Sequence, residues 1–158
     1  MFLFRSPSAR QLNVALAVLR IGVGAIFMAH GAQKLFTFGF AGVAGAFGHM
    51  GIPFAGFMGP FIALLEFFGG LALIFGLLTR LASLGLVFNM LGAIGFVHLN
   101  NGFFLPNGYE YALSLALSSL ALVFAGAGEY SLDALIGRKA GVQTKLVSNE
   151  TEKVRRAA

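Results

Sequence analysis

Two long apolar runs each hold a charge that hydrocarbon rejects: Arg20 inside Leu12–His30, and Glu66 inside Gly59–Arg80, GPFIALLEFFGGLALIFGLLTR. An ionisable group at the centre of a membrane helix costs at least about 3 kcal/mol, so it faces a partner or a water-filled cavity and marks a functional site by default. Arg20 and Glu66 carry opposite charges and are expected to pair. Asn89, in a third run, joins them in one polar layer that offers a ligand or proton site within the membrane. The plainer reading is a buried ion pair that fixes helix register, with Asn89 as interhelical hydrogen-bonding glue.

A second set of polar side chains falls near the opposite helix ends: His30, Lys34, His49, His98, Glu110 and Tyr111. Neutral imidazoles bind metal or haem, but these histidines lack ligand spacing of the HxxxH kind, so no metal site is assigned. Lys34, just past a helix end, is expected to snorkel toward the headgroups. Glu110 opens a helix, where a carboxylate complements the helix dipole.

The elements that must position these groups follow from composition. Of 158 residues, 58% are hydrophobic and 11% charged, roughly half the charge that a soluble domain carries. The class is integral membrane, all-α, and the length allows one compact domain. With no cysteine, disulfides, thiolate metal sites and iron–sulfur ligation are excluded within the chain.

Four spans are predicted, about 12–30, 59–78, 81–97 and 110–125, together forming a four-helix bundle over 12–136. Residues 1–11 form a basic lead, and 137–158 a charged tail predicted to be disordered. A cleaved signal peptide competes for the first run, but Arg20 in its core and the absence of a small-x-small cleavage site favour a retained helix. Glycines recur at every third position from Gly39 to Gly51. That spacing drifts around a helix, and it is read as a short interfacial helix, about Ala41 to Met50, in the first outer loop, ended by Gly51-Ile52-Pro53. Leu78-Thr79-Arg80 makes a tight turn, so the second and third spans are antiparallel neighbours.

Four spans put both termini on one side. Arg5, Arg10, Arg80 and the basic tail gather there, against Lys34 alone on the other side. The positive-inside rule therefore places both termini in the cytoplasm, in a multi-pass protein of the inner or plasma membrane. At 1.5 Å per residue, Glu66 lies roughly 10 Å below the outer helix ends, Asn89 roughly 13 Å and Arg20 roughly 15 Å. No basic stripe with interleaved aromatics supports nucleic-acid binding. Walker, GxGxxG, GxSxG and HExxH motifs are absent.

In order, Arg20, HGAQKLF (30–36), GIP (51–53), LLEFFGGLALIFGLLTRLA (64–82), His98 with GFF (102–104), GYEYAL (108–113) and GAGEYSLD (126–133) form a recognisable series. The series resembles the DoxX family of small four-helix membrane proteins. The resemblance implies association with a quinone-reducing respiratory oxidoreductase or with resistance to oxidative, thiol or electrophile stress. It matches Arg20, Lys34, Glu66, Arg80, His98, Glu110 and Asp133 to recurring polar positions without giving any of them a catalytic role. Quinone is the one cofactor that it admits. The expected function is thus an accessory or quinone-associated subunit, with the bilayer and a larger membrane oxidoreductase complex or further copies of itself as partners. Independent catalysis ranks below that, and any catalysis would belong to a quinone-linked oxidoreductase. A structural scaffold and a small-molecule permeation or detoxification protein are the alternatives.

Overall fold

The computed structural model describes residues 6–139 and 141. Its secondary structure is helical throughout, as the apolar runs require of a chain with no water to satisfy its backbone. Residues 1–5, with Arg5, and most of the predicted tail lie outside the described residues.

Helix α1 spans Ala9–Ala32. It starts earlier than the apolar run because Ser8 and Gln11 form a capping box: the Gln11 N–H donates to Ser8 Oγ at 3.3 Å, and the Ser8 N–H to Gln11 Oε1 at 2.8 Å. A π-helical turn, Gln33–Phe38, continues from it. Gly39, at φ 66°, then redirects the chain into α2, Gly39–His49. Helix α3 spans Ala55–Phe75 and α4 Thr79–Ala93. A second π-helical turn, Ile94–His98, and a short 3₁₀ turn, Leu99–Asn101, extend α4. Helix α5 is Glu110–Ala125, and residues 132–139 are helical, so regular structure runs into the start of the segment 137–158 predicted to be disordered. Among the described residues, three helical stretches are long and apolar enough to cross a bilayer, and α5 is shorter.

Close approach of backbones sets the register of α1 against α3. A Cβ on Gly24 would lie 2.7 Å from the Gly70 carbonyl oxygen, and one on Gly31 would collide with the Phe67 backbone. Small residues at such contacts let helices associate by van der Waals packing, since lipid supplies no hydrophobic drive between them. Val23 and Phe27 of α1 meet Leu73, Leu86, Met90 and Leu115 in the buried core. Helix α2 leans on the start of α3, where Gly59 admits the Ala44 backbone. Large apolar side chains such as Phe36, Phe54, Phe68, Phe88 and Phe124 face outward, a surface that suits hydrocarbon.

Candidate functional site

Glu66 lies on the buried face of α3 and is 4% exposed. Both of its carboxylate oxygens have donors. Lys34 Nζ forms a salt bridge and hydrogen bond with Oε2, and Asn89 Nδ2 donates to Oε1 at 2.9 Å. Lys34 comes from the first π-helical turn and Asn89 from α4, so the three groups tie together three elements that are far apart in sequence. Two charges held in this way meet the requirement that buried ions be paired and their remaining lone pairs satisfied.

The expected Arg20–Glu66 pair does not form. The Arg20 guanidinium is 3% exposed and donates to carbonyls: Leu73 at 2.9 Å, and also Ile74 and Tyr130. The Ile74 carbonyl belongs to the last turn of α3, whose acceptors lack intrahelical donors and where a cation also suits the helix dipole. The physical reason is register. The glycine contacts set Gly31 beside Phe67 and Gly24 beside Gly70, so Glu66 is level with the end of α1 rather than its middle. Eleven residues of helix, about 16 Å, separate that level from Arg20. Depths counted from approximate helix ends could not resolve this.

The Arg20 end of the bundle has its own network. Gly76, at φ 66°, closes α3, and a Cβ there would meet Ser131 Cβ at 2.5 Å and Arg20 Cζ at 3.1 Å. The Leu78 and Thr79 N–H groups donate to the two carboxylate oxygens of Asp133 at 2.7 and 2.9 Å. Asp133 thus caps α4 from a distant segment, a role that its place in GAGEYSLD did not disclose.

Of the predicted second cluster, Lys34 and His98 border one cavity, while His30, Glu110 and Tyr111 are engaged elsewhere. His30 and Tyr111 meet edge-on at 6.4 Å between ring centroids. Glu110 Oε1 accepts from the Leu105 N–H at 2.8 Å and so holds its own loop. His49 ends α2 and is exposed. Among the described residues, no three His, Asp or Glu side chains group as metal ligands.

The cavity measures about 500 Å³, within the usual size of small-molecule sites. Its walls are apolar, with Met50, Met58 and Phe61 on one side and Phe88, Phe96 and Val97 on another. Lys34, Glu66, Asn89 and His98 are its polar side chains. The His98 ring nitrogen Nδ1 lies 2.9 Å from the Asn107 carbonyl oxygen. A carbonyl only accepts, so Nδ1 carries the proton and Nε2 of the neutral ring is the acceptor. Lys34 and His98 both lie in π-helical turns, a rare geometry that recurs at functional sites. The aromatic and methionine walls, supplied by residues spread from α2 to the end of α4, were not singled out from the sequence. Their signal was the density of Phe and Met around Gly51 and near Phe96.

Fold and site together define a small polytopic membrane protein with one polar cluster at an apolar cavity. Residues 15–99 match the DoxX family, and the chain belongs to that family. It is 37% identical over 130 residues to "Inner membrane protein YqjF" of Escherichia coli, covering 80% of this chain and 95% of that protein. It is 32% identical over 134 residues to "Putative oxidoreductase CatD" of Bacillus subtilis, covering 84% and 96% respectively. It is 30% identical over 133 residues to "Uncharacterized membrane protein Rv3486" of Mycobacterium tuberculosis, covering 77% and 81%. No solved structure gives a significant match.

Proposed function

We propose that this protein is a quinone-binding accessory subunit of a membrane oxidoreductase, with the Lys34–Glu66–Asn89 cluster as its head-group site. The observation that carries the reading is a set of hydrogen-bonding groups in the wall of an otherwise apolar cavity of about 500 Å³. The donor set fits a quinone. Lys34 Nζ and the Asn89 amide can donate to carbonyl oxygens, and Phe61, Phe88 and Phe96 line the same cavity. Glu66 holds both donors in place by accepting from each. A bound quinone would supply two-electron chemistry, with Lys34 and Asn89 holding its carbonyl oxygens. The Bacillus relative is itself named a putative oxidoreductase, which supports a redox role for this chain.

The same reading orients the chain. The start of α1, the Leu78–Arg80 turn and residues 126–139 meet at one end of the bundle, as the Asn13–Glu129 and Asp133–Leu78 hydrogen bonds require. Arg10, Arg80, Arg138 and Lys139 crowd that end, which is the cytoplasmic end of an inner-membrane protein by the positive-inside rule. The cavity then opens in the outer half of the bilayer.

The test is extraction of purified protein for bound quinone, paired with quinone-dependent respiration in a Glu66→Gln strain. Bound quinone that is lost from the variant, with slower respiration, supports the reading. Protein free of quinone with unchanged respiration would end it. One observation favours a scaffold instead: Lys34 and Asn89 already satisfy both Glu66 oxygens. The charge swap Lys34→Glu with Glu66→Lys, if it restored full function, would decide for the scaffold.

A further inference from the structure

Resting on the head-group reading above, we infer that the ligand is a long-tailed prenyl quinone whose tail lies in the seam between α3 and α4. The head-group cavity does not end at Glu66. It shares Leu65, Gly85 and Phe88 with a second hollow of about 440 Å³. That hollow runs toward the Arg20 end of the bundle, past Gly69 and Ala72 of α3 and Ala82 of α4. On each helix its residues keep one stripe, at i, i+3 or i+4, and i+7. It is therefore an open groove along the helix axes that meets the head-group cavity at Leu65, Gly85 and Phe88.

The groove is shallow-walled because Gly69 and Ala72 of α3 and Ala82 and Gly85 of α4 line it with little or no side chain. A Cβ on Gly85 would come within 3.1 Å of Leu65 Cδ1, and both residues line the cavity and the groove, so a larger side chain at position 85 would narrow the place where the two hollows meet. From Phe88 to Leu81 the groove covers seven residues, about 10 Å along the axis. All the side chains that line it are apolar, whereas the head-group cavity has Lys34, Glu66, Asn89 and His98. A cavity with one polar cluster in its wall, leading into a wholly apolar groove, matches a molecule with a polar ring and a linear hydrocarbon tail. A tail laid there also fixes which way the ring faces the Lys34 and Asn89 donors.

The test uses full-length protein in nanodiscs with a benzoquinone that carries a long prenyl-like tail and a photoreactive diazirine at its far end. A second probe has the diazirine on the ring. Adducts are mapped by mass spectrometry. The tail probe is expected to label the Ala72 and Leu81–Ala82 region, and the ring probe the walls around Asn89. Excess unlabelled long-tailed quinone should remove both. Ala82→Phe, or Ala72→Phe should the first not fold, is expected to cut tail labelling at least about tenfold and leave ring labelling in the cavity. Ring adducts in the cavity with tail adducts scattered over the lipid-facing surface would overturn the tail groove and leave the head-group reading standing. The tail groove would likewise fall if phospholipid, and not the quinone, displaced the tail label. Absence of ring adducts from the cavity would overturn both readings.

Discussion

Lys34 and Glu66 join a π-helical turn to the buried face of α3, 32 residues away in sequence. The pair gives the buried Glu66 carboxylate a counter-charge where water has little access. Removing one partner is therefore worse than removing both. Lys34→Met leaves an uncompensated carboxylate, and a loss of about 3–5 kcal/mol is expected. The double variant Lys34→Met with Glu66→Met should recover most of that stability without recovering function. Unfolding in mixed micelles measures the first, and quinone content the second. A double variant as unstable as the single one would show that the pair is not the source of the loss.

Arg20 makes a different prediction. Its guanidinium joins the end of α3 to Tyr130, so Arg20→Met should release the segment around Tyr130–Asp133. Hydrogen bonds from a charged donor are worth about 1.5–3 kcal/mol each. Amide exchange at Asp133, whose N–H donates to the Gly76 carbonyl at 2.8 Å, should accelerate at least about tenfold. Exchange within the Lys34–Glu66 region should stay as it was. Equal acceleration at both ends would mean that the two networks are one.

Glycines two residues apart on α1 should behave in opposite ways. Gly24→Ala drives a methyl into the Gly70 carbonyl, while nothing lies within 4 Å of a Cβ on Gly22. The first is expected to cost about 1–3 kcal/mol. The second should be neutral or stabilise by up to about 1 kcal/mol, because alanine restricts the unfolded chain more than glycine does. Comparable losses from both substitutions would argue against the α1–α3 register.

The orientation can be read with thiol reagents, because the chain has no native cysteine. Arg138→Cys should be shielded from an impermeant maleimide in intact cells and react after lysis. Asn100→Cys, beyond the second π-helical turn, should react in intact cells. The reverse pattern would invert the topology and put the cavity in the inner leaflet.

Helices were legible because membrane spans announce themselves by length: a run such as Leu12–His30 has no other stable form in hydrocarbon. Gly51-Ile52-Pro53 marked the end of α2 nearly to the residue, since Gly51 takes φ 73° there. Partnership of the charges was not legible. Arg20 and Glu66 were recognised as buried, yet their partners depend on how far α1 slides along α3, and the Gly24–Gly70 approach that decides this is invisible without the opposing helix. Lys34 was noticed as a lone cation and assigned to the headgroups. Counting on from His30 with helical spacing does not place it, because the π-helical turn from Gln33 changes the face on which later residues emerge. Asn89 held its place in the Glu66 layer, since α3 and α4 are joined by so short a turn that their relative level follows from counting alone.

The bond from Arg20 to the Tyr130 carbonyl bears on how the protein is made. A ribosome synthesises α1 long before residue 130 exists, so the guanidinium enters the bilayer ahead of every acceptor it finally uses. Until α3 arrives it must reach for the headgroups or remain beside the insertion machinery, and it gains its last acceptor only after α5 has been threaded. A nascent chain stalled before Tyr130 should accordingly stay extractable or bound to the insertase. Release into the bilayer would coincide with emergence of the GAGEYSLD segment, making that short motif the latch on the assembled bundle.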